Sequence, residues 1–130
     1  MIYRRKTYVL ASSFVTEFNA LFNEILLPSQ LKYGARLIGR WHTFIDDETS
    51  EIFAMWEYDT IEQYEEIETK IKLDKEHVSR VQERFDQMGR HRYKEIFREG
   101  IKQEFFISTV DRKKTILQTL SADITNSTYD

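Results

Sequence analysis

The chain has 130 residues, 41% of them hydrophobic and 32% charged, a balance that suits one folded domain with a real apolar core. Its net charge of −3 lacks the basic footprint of a nucleic-acid binder, and the absence of cysteine removes disulfides, thiolate metal sites and a cysteine nucleophile. No apolar run is long enough for a membrane span or a signal h-region, so a cytoplasmic protein is expected.

Ile2–Ala11 is rich in β-formers and predicts a first strand, although its alternation is ragged. Phe14, Phe18, Leu21, Phe22, Ile25 and Leu26 follow at spacings of three and four, which puts one apolar stripe on a helix. Ser12 or Ser13 is placed to cap that helix, Pro28 to bend or interrupt it, and Gly34 to end it in the left-handed conformation. Two strands come next, "ARLIGRWHTFI" and "EIFAMWEYD", around the polar turn "DDETS". "TIEQ" has capping-box spacing and opens a second helix, with Ile61, Tyr64, Ile67 and Ile71 inward and the glutamates at 62, 65, 66 and 68 as a solvated face. Asp74 is placed to cap a third helix, which carries Val78, Val81, Phe85 and Met88, and beyond an interruption at Gly89 continues through Tyr93, Ile96 and Phe97 to Gly100. "IKQEFFISTV" is the last strand.

Strand, helix, two strands, helical segment, strand is the βαββαβ order of a ferredoxin-like α+β fold, with a four-stranded antiparallel sheet and helices on one face. Leu37 and Trp41 alternate with Ile38 and Phe44, and Phe105 with Phe106, so both sheet faces carry apolar side chains. A second face this apolar implies a homodimer joined through it.

Several stretches share the pattern of one known family: "KTY" in the first strand, "FNALFNEILLP", "YGARLIGRW" and above all "MWEYDTIEQYEE". From the first strand through the third helix, about two thirds of the chain, the sequence resembles the NIPSNAP family of the dimeric α+β barrel superfamily. Gly34, Leu37, Gly39, Trp41, Trp56, Tyr58 and Asp59 match its G-x-L-x-G-x-W and W-x-Y-D elements. The sequence departs at Ser12-Ser13, where proline-glycine is common, and at Arg4, where an acidic residue is frequent. It departs again at Lys75 and His77, where the D-P-E-W element has proline and tryptophan; Asp74 and Glu76 remain. The resemblance implies a NIPSNAP-type ferredoxin-like domain over residues 1–110, with 111–130 as a C-terminal extension or tail.

The candidate ligand-binding residues are Trp41, Trp56, Tyr58, Tyr8, Arg36 and Arg40. Strand tryptophans are more often core than pocket wall, and whether Trp41 and Trp56 share a face depends on the hairpin register. Strict alternation puts Arg36, Arg40 and His42 on one side of the second strand, and Arg4 and Lys6 on one side of the first. Together they would suit a carboxylate or phosphate, although ordinary ion pairs with Glu57 or Glu104 are the commoner fate of such residues. His42 is the candidate catalytic base, because histidine titrates near neutrality. The histidines at 42, 77 and 91 lack metal-ligand spacing, and neither a metal nor a cofactor is expected. Fold and resemblance imply a barrel binding a small lipophilic, aromatic or anionic ligand. The alternatives are a cofactor-independent oxygenase-like enzyme and a protein-interaction adaptor. A haem-degrading relative would carry a histidine on the helix after the third strand, and "TIEQYEEIETK" has none.

Overall fold

The structure, a computed structural model, describes residues 1–89 and 96–110. Strand β1 (Ile2–Ala11) leads through a 3-10 turn, Ser12–Phe14, into α1 (Val15–Leu21), a π-helical turn, Phe22–Leu26, and α2 (Leu27–Lys32). The hairpin of β2 (Arg36–Phe44) and β3 (Thr49–Tyr58) follows, then α3 (Ile61–Leu73), α4 (Lys75–Met88) and β4 (Phe97–Ile107). The four strands form one sheet in the order β2-β3-β1-β4, all neighbours antiparallel, which is the ferredoxin-like arrangement. Among the described residues no helix is long and apolar enough to cross a membrane.

Alternation assigns the two faces. Ser50, Ile52, Ala54, Trp56 and Tyr58 of β3 are all buried, so the even positions of β3 and, by register, of β1 face the helices. Two apolar clusters fill the space between sheet and helices. One gathers Leu10, Phe14, Phe18, Leu21, Ile52 and Phe97; the other gathers Phe22, Ala35, Ala54, Trp56, Tyr58 and Ile67. Four aromatic rings, Tyr8, Phe14, Phe18 and Phe97, meet edge-on, tilted or stacked within the first, with centroids 4.8–6.3 Å apart.

Pro28 does not break the first helical run. A proline nitrogen cannot donate to the carbonyl four residues back, and its ring crowds that carbonyl. The chain widens by one residue per turn just before it, with the Leu27 N–H reaching the Phe22 carbonyl, and α2 starts with the proline in its first turn. Gly34, at φ +101°, closes α2 with paired bonds from the Ala35 N–H to Gln30 O (3.0 Å) and from the Gly34 N–H to Leu31 O (3.2 Å).

Thr60 accepts from the Gln63 N–H at 3.1 Å and Asp74 from the His77 N–H at 3.1 Å, capping α3 and α4. The serines near the first helix do not cap it: Ser12 Oγ turns to Ser50 Oγ at 2.7 Å. The third helix is interrupted at Gly89 as expected; residues 90–95 lie outside the described residues, and Ile96 is helical. Gly89 adopts φ +92° and ends α4, and Phe97 already lies in β4 opposite Leu10. Gly100, at φ +79°, belongs to the irregularity that shifts β4 against β1 between Tyr8 and Leu10. Tyr93, His91 and the expected tail at 111–130 lie outside the described residues.

Candidate functional site: a cationic cleft between sheet and helices

A bulge in β2 decides what the sheet offers on each side. Leu37 pairs with Trp56, but Gly39 pairs with Met55, so Ile38 is the extra residue. Every later position of β2 therefore sits on the opposite face from the one simple alternation from Arg36 gives. Arg36 pairs with Glu57 and forms ion pairs with Glu57 (3.0 Å) and Asp59 (2.9 Å), away from the helices. Arg40 pairs with Ala54 and faces the helices. The expected grouping of Arg36 with Arg40 and His42 is thus divided.

The same register separates the tryptophans. Trp56 lies under the helices, 3% exposed, with its ring 6.2 Å from that of Phe22. Trp41 lies on the open face, 47% exposed, against Phe53 at 5.2 Å and flat over Gly39, where a Cβ would stand 2.5 Å from its ring atoms. Glycine at 39 is what lets the indole lie there.

The register sets Arg40, Ala54, Lys6 and Gln103 in one row across the sheet, on the helix side. Arg40 and Lys6 are two strands apart, their backbones about 10 Å from one another. Alanine between them is too short to reach the helices, and a cavity of about 190 Å³ opens over it. Trp56, Phe22, Leu26 and Ile71 supply its apolar wall; Arg4, Lys6, Tyr8, Gln30, Arg40, Glu68 and His77 supply its polar groups.

Each cation is held differently. Arg4 is 2% exposed, beneath Tyr64 at 4.9 Å and beside Trp56 and Tyr58 at 5.7 and 5.8 Å, so its charge is balanced partly by ring faces. Its Nη1 donates to Gln103 Oε1 at 3.3 Å and lies 3.6 Å from Glu68, which also accepts from Gln30. Its Nε has no hydrogen-bond partner. Arg40 stacks 4.3 Å over Phe22, and its Nη1 donates to Asn19 Oδ1 at 2.6 Å, while its buried Nη2 has no partner. Burial pulls the Arg40 guanidinium below the usual arginine value, with Tyr8 opposing, yet an arginine stays charged at neutral pH. Lys6 has Tyr8 as its near neighbour, its ammonium 5.6 Å from the ring centre. His77 is buried, and desolvation lowers its pKa, so it is neutral at pH 7 and adds no charge. Three cations thus face one carboxylate.

Of the sequence candidates, Tyr8, Trp56 and Arg40 line this cavity; Trp41 and Arg36 belong to the other face. Tyr58 is fully buried, its hydroxyl without a close hydrogen bond and pushed up to about 12 by burial, the neighbouring Arg4 holding the rise back. His42 stands at the far end of β2, bonded to Ser50 Oγ at 2.9 Å and tilted against Phe44, and does not line the cavity. Glu68, Gln30 and His77 were not expected there. Glu68 is no part of a solvated face: it follows Tyr64 by four residues and precedes Ile71 by three, so its spacing puts it on the inward stripe. Arg4 and His77 both line the cavity.

Comparison with known proteins agrees with this architecture. An uncharacterized NIPSNAP domain protein from Burkholderia xenovorans superposes with a TM-score of 0.60 at 18% identity, over 85% of this chain and 97% of that one. A NIPSNAP family protein from Agrobacterium tumefaciens gives 0.60 at 21% identity, over 85% and 94%. A dimeric ferredoxin-like protein from an uncultured marine organism gives 0.50 at 17% identity, over 84% and 96%. No curated protein matches the sequence. The NIPSNAP family pattern itself matches residues 3–96, most of the chain, and the protein belongs to the NIPSNAP family.

Proposed function

We propose that the protein binds a small lipophilic or aromatic molecule in the cleft over Ala54, and that it works as a homodimer through its open sheet face. One observation carries the first part: a cavity of about 190 Å³ walled by Trp56, Phe22, Leu26 and Ile71. An apolar cavity of about 150 Å³ is enough to take up benzene in another protein. Saturation-transfer NMR with benzyl alcohol tests it, comparing the native chain with Ala54→Leu. Transfer to the native protein and none to the variant is the expected result; equal transfer to both places the binding elsewhere and ends the proposal.

The dimer reading draws on Trp41 and Phe106, both exposed on the open face, the first beside Phe53 and the second beside Tyr3. A fold relative is described as dimeric. An enzymatic reading, of the cofactor-independent oxygenase-like kind, has one observation in its favour: His77 is neutral and lines the cavity, where a general base would act. Oxygen uptake that depends on a bound aromatic substrate and is lost in His77→Gln supports it; an unchanged rate removes His77 from the chemistry.

A further inference from the structure

We infer that the ligand of this cleft is a small aromatic carboxylate, its ring against Trp56, Leu26 and Ile71 and its carboxylate over Ala54 between Lys6 and Arg40. The inference rests on the ligand-binding reading above and names the class of molecule. Arg4 already has Glu68 within 3.6 Å and three ring faces around it. Among the described residues no carboxylate pairs with Arg40 or Lys6.

The fold does not require cations at those positions. They flank Ala54 in a row between two apolar clusters, where leucine or methionine would complete the core. Instead Arg40 is oriented by Asn19 and Phe22 so that one buried N–H group stays free. A desolvated donor without a partner is costly, and an oxygen ligand removes that cost. The donors left for a ligand are Arg40 Nη2, buried and unpartnered, and the Lys6 ammonium, which lines the cleft. Two donors suit the two oxygens of a single carboxylate. Once a ring occupies the cavity, little of its 190 Å³ is left for a bulkier head group.

Calorimetric titrations of the full chain with benzoate, benzamide and inorganic phosphate test this. Benzoate should bind at least tenfold more tightly than benzamide. Arg40→Gln should remove that advantage and leave benzamide unchanged, and Lys6→Gln should reduce it. If circular dichroism shows that Arg40→Gln does not fold, Lys6→Gln decides alone. Benzamide binding as tightly as benzoate overturns the carboxylate and leaves the cleft a ligand site. Phosphate displacing benzoate with equal strength overturns the aromatic part. Binding of none of the three overturns both this inference and the reading beneath it.

Discussion

Ala54→Leu is the substitution whose consequences follow most directly from the cavity. Leucine adds three carbons at the centre of the Arg40–Ala54–Lys6 row. At roughly 30 Å³ each, the share of one water molecule, they fill about half of the 190 Å³. What remains is smaller than the ~150 Å³ cavity known to take up benzene in another protein. Ring binding should therefore fall at least a hundredfold.

Burying three methylene-sized groups contributes at most about 2.4 kcal/mol, at ~0.8 kcal/mol each. Displacing water from beside Lys6 and Arg40 offsets part of this, and a net stabilisation of about 1 kcal/mol is expected. Urea melts at unchanged slope measure the stability, and calorimetry with benzoate measures the binding. A variant that binds like the native chain refutes the cavity as the site. One that loses more than about 2 kcal/mol shows that the space is not there to be filled, since overpacking carries costs of that size.

Tyr58→Phe removes a fully buried hydroxyl that makes no close hydrogen bond but lies within the influence of Arg4, and should stabilise the fold by up to about 1 kcal/mol in the same melts; a loss would mean that its interaction with Arg4 outweighs its desolvation. Asp74 is drawn down to about 2 by the His77 N–H, the Tyr33 hydroxyl at 2.8 Å and Lys32. A carboxylate depressed by folding stabilises above its unfolded pKa of about 3.9 and loses that contribution as pH falls toward 2. The margin of the native chain over Asp74→Asn in thermal melts should accordingly shrink from pH 5 to pH 2, and a constant margin would contradict the assignment. Trp41→Glu puts a charge on the proposed dimer face; light scattering should read a dimer for the native chain and a monomer for the variant, while two monomers would end the dimer reading.

Much of the fold is legible in local patterns. The stripe from Phe14 to Leu26, the caps at Thr60 and Asp74 and the turn between β2 and β3 each follow from short-range chemistry and appear in the structure. The site is less legible because it depends on register. A single extra residue at Ile38 sends Arg36 to one face and Arg40 to the other, and the one local hint is Gly39, since a glycine inside a strand marks either a bulge or a close approach without saying which. That bulge also decides that Trp41 and Trp56 never meet. Glu68 was readable from its i+4 spacing to Tyr64, but a run of glutamates hid it. His77 is different: its burial comes from how α4 packs over α2, which helical periodicity does not specify. Arg4 and Lys6 share a side by plain alternation in an unbulged stretch, and the structure keeps them there.

The most direct test is a crystal structure of the protein soaked with 4-bromobenzoate, with the bromine located by its anomalous signal. A peak inside the cleft, with the carboxylate over Ala54 between Lys6 and Arg40, is the predicted result. A peak only on the open face, or a cleft that stays empty at saturating ligand, would contradict the account.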